Sequence, residues 1–423
     1  MKNMELVVEG NCYVAGRMQR CCIGIEAGKI VKIAKVLDGD RVLNFGNQLV
    51  LPTAIDAHVH FRDPGMTAKE DFATGSEAAL HGGVTCVLDM PNTKPSTTTV
   101  AAIREKKISA SAKSLVDFGF FAGVKPGIDV EAMAKEAVAF KLYMGSTTGD
   151  LLVPELKQVK KELGRIARTG KVLAVHAEDE ELRKKEPEND LEGHLKNRPN
   201  ECETRAIRTV RDAAQGCKLH ICHMSARQSL QETMGRKGLT TEVSPHHLLF
   251  DTSSRLGALI KVNPPIRRRE DRQALFQALK NGSIDIIASD HAPHLLEEKQ
   301  DDFEYAPTGT PGVETIFPLM LQLVRENHLA IDQVLGRLCE RPGEIYGINK
   351  GRIEVGYDAD LMIIDMLSGE YIKAENLHSK CGWTPYEGMP AIFPKAVFVR
   401  GELMVEKRNR VGERNGRDVV AST

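Results

Sequence analysis

Two histidines placed two positions apart, His58 and His60, end a short apolar run that begins at Ala54. In a β-strand, residues i and i+2 face the same side, so both imidazoles can reach one metal ion. Imidazole nitrogen suits zinc, iron, nickel or cobalt. A His-x-His pair is common by itself, but here Phe-Arg62-Asp-Pro-Gly65 follows it, which makes the pattern far more specific. The segment predicts part of a metal site.

Other apolar runs also end in a side chain that can bind a metal ion or move a proton. These residues are Asp89, Lys141, His176, His223 and Asp290. In barrels of alternating strands and helices, the active site lies at the C-terminal ends of the strands. We therefore expect several strands to deliver these side chains to one place. Taken singly, Lys141 could instead extend its ammonium toward solvent, and Asp290 could cap the next helix.

The elements that would position these residues are strands alternating with helices. Between residues 54 and 351, short apolar runs alternate with helical stretches at 130–140, 156–169 and 202–216. Strands that are apolar throughout favour a parallel sheet covered on both faces. At this length, the pattern predicts a catalytic (β/α)8 TIM-like barrel. Residues 1–53 and 352–423 show period-two alternation between glycine turns, which predicts one small β-sandwich domain built from both termini.

Composition excludes several classes of partner. The chain has 57 Lys and Arg against 58 Asp and Glu, a net charge of −1, which provides no field for nucleic acid or an anionic membrane. No stretch approaches the ~18 apolar residues of a membrane span, and the first residues lack the apolar core of a signal peptide. Nine scattered cysteines indicate reduced thiols. We expect a cytoplasmic protein that acts on a small molecule.

The motifs occur together in an order that resembles the dihydroorotases of the amidohydrolase superfamily. The matching segments are His58-Val-His60-Phe-Arg62-Asp-Pro-Gly65, Asp89-Met-Pro-Asn92-Thr-Lys-Pro95, Lys141-Leu-Tyr-Met, His176-Ala-Glu-Asp, Cys222-His223, Glu242-Val-Ser-Pro-His-His247 and Ser289-Asp290-His-Ala-Pro-His294. The resemblance covers nearly the whole chain, including the divided β domain. It implies reversible hydrolysis of (S)-dihydroorotate to N-carbamoyl-L-aspartate, a step of pyrimidine synthesis.

This resemblance implies a centre of two zinc ions. The ligands would be His58, His60 and Asp290 for one ion, and His176 and His223 for the other. A carboxylated Lys141 and a hydroxide would bridge the ions, because a neutral lysine can take up CO2 and then offers two anionic oxygens. Asp290 would also carry a proton from the attacking water to the leaving amide nitrogen.

Arg62 is the best guide to the substrate. The planar guanidinium matches a carboxylate, and dihydroorotate carries a ring carboxylate that allantoin and hydantoin lack. The resemblance adds three further substrate contacts, which are Asn92, Asn263 and His294. An isolated arginine at this position would more commonly form a surface ion pair, here with Asp63 or Glu70.

A third zinc ion, with Cys222 and Glu242 among its ligands, is left open. Some relatives that this chain resembles use both residues, with one of the first histidines, to hold such an ion. The alternation of side chains along a strand argues against a third zinc, because Cys222 should then point away from the side that His223 faces. In that case Cys222 is a core residue.

Two other functions stay open at this point. An allantoinase or hydantoinase would share the metals, the lysine and the barrel, and a catalytically silent scaffold would share only the fold. The sequence also leaves open a homo-oligomer and association with aspartate transcarbamoylase.

Overall fold

The computed structural model describes residues 4–413 and 416–420. The strands in this part of the chain are β1 (Leu6–Val14), β2 (Arg17–Glu26), β3 (Lys29–Ala34), β4 (Val42–Pro52), β5 (Ala54–Val59), β6 (Val84–Asp89), β7 (Asp117–Gly123), β8 (Ala139–Tyr143), β9 (Val172–His176), β10 (Lys218–Ile221), β11 (Leu239–Val243), β12 (Ile286–Ile287), β13 (Leu361–Ile364), β14 (Glu370–Tyr371), β15 (Pro390–Ala391), β16 (Ala396–Val399), β17 (Glu402–Glu406) and β18 (Asn409–Arg410). The helices are α1 (Phe72–His81), α2 (Val100–Lys113), α3 (Val130–Ala134), α4 (Lys160–Thr169), α5 (Leu191–Asn197), α6 (Asn200–Ala213), α7 (Leu230–Thr233), α8 (Pro245–Leu249), α9 (Arg269–Asn281), α10 (Leu296–Lys299), α11 (Ile316–Arg325), α12 (Ile331–Leu335) and α13 (Arg341–Tyr346).

Strands β5 to β12 form a parallel barrel. Each strand pairs with the next one in chain order. A parallel bridge between Val59 and His291 closes the last strand onto the first, and the backbone N–H of His60 donates to the carbonyl of His291 over 2.8 Å. Most barrel strands are buried along their whole length, as expected for a sheet covered on both faces. The predicted (β/α)8 barrel is confirmed.

The strands at the two ends of the chain assemble together. Hydrogen bonds join them in the order β18-β17-β16-β13-β4-β1-β2-β3. The junction between the ends is the antiparallel pair of β4 and β13, in which Leu361 lies opposite Pro52. Val8, Ile23 and Phe398 share one apolar core with Leu361. The predicted small β domain from both termini is therefore confirmed as an assembly. The boundaries 1–53 plus 352–423 and 54–351 stay a prediction, and residues 1–3, 414–415 and 421–423 lie outside the described residues.

The helix predicted at 130–140 is wrong in its second half. Helix α3 ends at Ala134, and strand β8 begins at Ala139. Val138, Ala139 and Phe140 are buried, and a short apolar run of this kind cannot be assigned to a helix or a strand from its period. The stretch at 202–216 corresponds to α6. The stretch at 156–169 corresponds to a 3-10 turn followed by α4.

A buried lysine joins the barrel to the terminal strands. The Lys350 Nζ lies 2.7 Å from Asp117 on β7, 2.9 Å from Asp358 and 2.7 Å from Asp360. Buried ion pairs of this kind are costly to break from one side, because the remaining charge loses its partner. The cluster therefore fixes the terminal strands against the wall of the barrel.

No described helix combines the length and apolar character that crossing a membrane requires. The nine cysteines are free thiols, as their scattered positions predict.

Candidate metal centre and substrate pocket

The polar side chains predicted to meet do so in one pocket at the C-terminal ends of the barrel strands. The pocket is lined by His58 and His60 from the end of β5, Lys141 from β8, His176 from β9, His223 after β10 and Asp290 after β12. All six are buried. The tertiary structure therefore unites residues separated by more than 230 positions, as the barrel argument predicts.

One half of the centre is built from His58, His60 and Asp290. Nε2 of His58 and Nε2 of His60 lie 3.3 and 3.1 Å from the same carboxylate oxygen, Oδ1 of Asp290. Their Nδ1 atoms contact other oxygens, Oε1 of Glu242 at 2.5 Å for His58 and Oδ1 of Asn92 at 2.7 Å for His60. Metal-binding histidines are commonly oriented in this way by an oxygen that accepts the proton of the second ring nitrogen.

The electrostatics of this half favour a cation between the histidines and Asp290. Burial and Lys141 oppose protonation of His58, but the carboxylates of Glu242 and Asp290 outweigh them and raise its pKa to about 10. Burial lowers the pKa of His60 to about 4. The carboxylates of Glu242 and Asp290 thus favour a positive charge at His58, and a metal ion that bound there would release its proton.

The second half consists of His176 and His223. Nδ1 of His176 lies 3.1 Å from Nε2 of His223, while Nε2 of His176 contacts Oε2 of Glu178 at 3.0 Å. Glu178 places the proton of His176 on Nε2, so the lone pair of Nδ1 faces His223. Burial, with the nearby His176 and Lys141, lowers the pKa of His223 well below its ordinary value. Both imidazoles are therefore available as neutral ligands, which a metal requires.

Lys141 lines the same pocket as both halves. The side chain is fully buried, and its Nζ donates to Sγ of Cys222 over 2.8 Å. Among the residues that the structure describes, no carboxylate lies within ion-pair distance of this nitrogen. The nitrogen and oxygen donors of the pocket fit a metal centre beside Lys141.

A second group of ligand atoms adjoins the centre. The ligand atoms of His58, Cys222 and Glu242 all lie within 4.8 Å of one another. The alternation argument against Cys222 is wrong, because β10 ends at Ile221 and the backbone turns to φ 37° at His223. Alternation along a strand does not extend beyond the strand.

Glu242 already has other partners. Its Oε2 contacts Nε2 of His220 at 3.0 Å, and its Oε1 accepts the backbone N–H of His223 at 3.1 Å. The same Oε1 contacts Nδ1 of His58. Glu242 can therefore orient the imidazole of His58 or act as a ligand atom together with Cys222.

Two charged residues that sequence reasoning missed support His176. Glu178 is fully buried and is paired with Arg198, whose Nη2 donates to the carbonyl of Ser146 over 2.6 Å. Burial opposes ionisation of Glu178, but Arg198 and His176 outweigh it and lower its pKa. Glu178 follows the end of β9 at His176, so strand alternation could not have predicted this contact.

Arg62 lies in the wall of the same pocket and is buried, with 2% of its surface exposed. Its Nε donates to the carbonyl of Pro293 over 3.2 Å. The surface ion pair considered from the sequence is wrong, because Asp63 pairs with Lys113 and Glu70 bonds to Ser379. Among the described residues, no carboxylate lies within ion-pair distance of Arg62. Burial lowers the pKa of Arg62 to about 10.

The other predicted substrate contacts surround Arg62. Nε2 of His294 lies 3.2 Å from Nη2 of Arg62. Asn92 and Asn263 line the pocket, where the Asn92 amide also donates to the carbonyl of Thr148 over 3.0 Å. Asn263 has both amide atoms engaged, with His194 and Thr308 at 3.0 and 3.1 Å. The structure thus brings together all the residues that the sequence proposed for the substrate.

Further residues line the pocket. Those that the sequence did not indicate are Tyr143, Thr147, Thr148, Val262 and Ala292, while Thr308 and Gly309 begin a segment that resembles a glycine turn of the family near the substrate. The Tyr143 hydroxyl is buried and has no hydrogen-bond partner among the described residues. Gly309 has φ 141°, and a Cβ there would lie 2.4 Å from the carbonyl oxygen of Ala292, so the pocket requires glycine at this point.

The barrel and its site define the class of protein. The model of the Amidohydrolase family matches residues 49–404, and the chain belongs to this family. The chain is 41% identical to a dihydroorotase of Methanosarcina mazei, covering 93% of this chain and 92% of the relative. It is 42% identical to a dihydroorotase of Methanosarcina acetivorans, covering 93% and 90%. An L-hydantoinase structure from Arthrobacter aurescens superposes with a TM-score of 0.92 at 30% identity, covering 98% and 99%.

Proposed function

We propose that this protein is a metal-dependent dihydroorotase that reversibly hydrolyses (S)-dihydroorotate to N-carbamoyl-L-aspartate in pyrimidine synthesis. The observation that carries the proposal is Arg62, a buried cation in the pocket wall without a carboxylate partner among the described residues. A carboxylate on the substrate would supply the missing counter-charge through a forked pair of hydrogen bonds. Relatives that are named dihydroorotases, aligned over more than 90% of this chain, support the same substrate.

The residues proposed as metal ligands are His58, His60 and Asp290 for one zinc ion, His176 and His223 for a second, and carboxylated Lys141 between them. Nitrogen and oxygen ligands in this number suit zinc. The absence of a counter-ion near buried Lys141 supports its conversion to a carbamate. When bound, the ions would lower the pKa of water and polarise the amide carbonyl.

A third zinc held by His58, Cys222 and Glu242 is a further part of this proposal. The proximity of the three ligand atoms supports it. The contact between Glu242 and His58 supports the simpler role of orienting a ligand of the two-metal centre. Elemental analysis of wild type and a Cys222→Ser variant separates the two roles. A third site predicts the loss of one zinc per chain in the variant, and an orienting role predicts no loss.

Asp290 is proposed to move the proton in the reaction. Its carboxylate lies at the pocket, 3.1 Å from His60 Nε2, where it can accept a proton from the attacking water. A C–O bond forms at the ring carbonyl, the C–N bond of the cyclic amide breaks, and Asp290 returns the proton to the leaving nitrogen. Arg62, with His294, Asn92 and Asn263, would hold the substrate through its carboxylate and ring.

A hydantoinase or allantoinase is the second candidate function. The superposition on an L-hydantoinase at a TM-score of 0.92 favours it. The ring substrates of that type lack the carboxylate that Arg62 would bind, so they leave this cation without a counter-charge. A silent scaffold has no such support, because the pocket holds a complete set of metal-ligating side chains.

The experiment is a comparison of substrates with the zinc-loaded protein. Dihydroorotate, allantoin, hydantoin and dihydrouracil are offered separately, and ring opening is measured with the zinc content verified. Turnover of dihydroorotate with little turnover of the three uncharged rings is the expected result. Turnover of an uncharged ring instead would keep the metal centre and refute the substrate, and no turnover of any ring would refute the enzymatic function.

We also propose where the enzyme is located and which proteins it associates with. A cytoplasmic location and association with a second copy or with aspartate transcarbamoylase would suit an enzyme of pyrimidine synthesis. Light scattering of the purified protein, alone and mixed with the transcarbamoylase, measures both associations. A monomeric mass in each case would refute them.

A further inference from the structure

Lys69, in the loop between β5 and α1, contacts His294 at the ring nitrogen opposite to the one that Arg62 contacts. Its Nζ lies 3.0 Å from Nδ1 of His294 and donates to Oε1 of Glu298 over 2.7 Å. Oε2 of Glu298 in turn accepts the backbone N–H of Leu295 at 3.0 Å. Glu298 thus holds the ammonium of Lys69 in place against the imidazole.

The contacts of His294 determine which ring nitrogen carries its proton. Nε2 of His294 lies 3.1 Å from the carbonyl oxygen of Thr308 and 3.2 Å from Nη2 of Arg62. An ammonium can only donate, and a carbonyl can only accept. A proton on Nε2 therefore satisfies both Lys69 and Thr308, whereas a proton on Nδ1 would satisfy Arg62 alone and oppose the other two. Two of the three hydrogen-bond contacts select the Nε2–H form, and Oε2 of Glu298, at 3.7 Å from Nδ1, lies too far away to accept a proton from it.

This assignment leaves two donors facing one another at the pocket wall. The N–H of His294 Nε2 and the N–H of Arg62 Nη2 lie close together, and neither can accept from the other. Because the Nε2–H of His294 already donates to Thr308, the Nη2 donor of Arg62 is the one left without an acceptor, and it is available to a carboxylate oxygen. Burial and the neighbouring cations, Arg62 first, lower the pKa of His294, which keeps the ring neutral.

We propose that Lys69 is a positioning residue for substrate binding, which keeps His294 in the Nε2–H form so that the imidazole does not accept from Arg62 and the Nη2 donor of Arg62 stays free for a ligand carboxylate. This inference rests on the proposed function and names a residue that acts on the substrate through another. Lys69 itself stays on the far side of the imidazole, where it contacts Nδ1.

The test compares Lys69→Met with Lys69→Arg in the zinc-loaded enzyme. Lys69→Met is expected to raise KM for dihydroorotate by about tenfold, the scale of one charge-assisted hydrogen bond, with kcat and metal content nearly unchanged. Lys69→Arg retains a donor and is expected to recover most of the affinity. The matched control is Lys380→Met, because Lys380 binds the same loop at the Thr67 carbonyl over 3.0 Å without contacting His294. This control should leave KM unchanged.

A second readout does not require turnover. Trp383 is the only tryptophan of the chain, and its indole N–H donates to the carbonyl of His294 over 2.8 Å. Titration with N-carbamoyl-L-aspartate, followed by tryptophan fluorescence, should give a Kd about tenfold higher for Lys69→Met than for wild type, again the loss of one such bond. Nitrogen-15 NMR of the histidines, with His294→Gln for assignment, should locate the proton on Nε2 in the wild type.

The outcomes separate the two proposals. A proton on Nδ1 of His294, equal KM values for Lys69→Met and wild type, or equal losses in Lys69→Met and Lys380→Met would overturn the role of Lys69. A wild-type enzyme that neither hydrolyses dihydroorotate nor binds N-carbamoyl-L-aspartate would refute the proposed function instead, and the NMR measurement would still decide the tautomer.

Discussion

Replacement of Arg62 by methionine should weaken substrate binding without weakening the fold. Methionine has a similar reach and no charge, so the change removes the guanidinium while it keeps much of the packing. Arg62 is buried, and among the described residues it has no carboxylate partner. Burial therefore makes the charge costly in the free enzyme, Asp290 and Asp89 offset only part of that cost, and an anionic ligand would supply a direct partner.

The magnitude follows from the two hydrogen bonds that a forked pair would form. Each hydrogen bond to a charged group contributes about 1.5–3 kcal/mol, so the loss of both should cost roughly 3–6 kcal/mol of binding. At about 1.4 kcal/mol per factor of ten, KM should rise by roughly two to four orders of magnitude. The free energy of unfolding of the metal-free protein should stay equal or increase, because an uncompensated buried charge disappears.

The assay combines KM and kcat for dihydroorotate, elemental analysis of bound metal, and thermal unfolding of the metal-free protein. The control is Arg165→Met, since Arg165 is outside the pocket and pairs with Glu131 at the surface. This control should change neither KM nor metal content. An unchanged KM would refute the role of Arg62 in substrate binding. Loss of metal in Arg62→Met, or a clear fall in its unfolding temperature, would give Arg62 a structural role instead.

Four further outcomes are expected. Asp290→Asn should lower kcat by at least about 10²-fold if this carboxylate moves the proton, and a substantial residual rate would indicate another base. Glu178→Gln should weaken zinc binding by about 10–100-fold in a chelator competition, because His176 loses the charged partner that orients it, and unchanged affinity would contradict that role. His81→Phe should reduce acid destabilisation. Burial lowers the pKa of His81 to about 3, so the unfolded chain binds the proton first, and the wild type should lose about 1 kcal/mol more than the variant between roughly pH 7 and 5.5 in denaturant titrations. Removal of metal with a chelator should abolish activity and lower the unfolding temperature, both restored by zinc, because binding to the folded state alone stabilises it. Full activity without metal would refute the centre.

Much of the fold could be predicted because its signals are local. The apolar run from Val172 to His176 is short, lies between turn residues and is strand β9 at those same bounds. Repetition of such runs between helices indicates a parallel barrel, whose geometry gathers the strand ends at one face. The prediction was wrong where one local signal fits two structures, as in the stretch that holds α3 and the start of β8.

The site was predicted less completely than the fold. The alternation argument misplaced Cys222 because the end of β10 cannot be read to one residue from the sequence. A surface ion pair of Arg62 would require an exposed side chain, and the identities of the neighbouring residues in the chain do not show whether Arg62 is exposed or buried. Asp63 faces Lys113, although it adjoins Arg62 in sequence.

The sequence by itself determined the residue types that could bind metal, the strand ends that carry them and the barrel that these strands build. These properties follow from periodicity and from motifs within a few residues. Only the tertiary structure decided which side chains orient the residues of the site. Glu242 contacts His58 from 184 positions away, and Lys69 contacts His294 from 225 positions away. The physical reason is that such contacts depend on the closure of the barrel and the paths of its loops, which bring distant segments within hydrogen-bond distance, and local patterns do not contain that geometry.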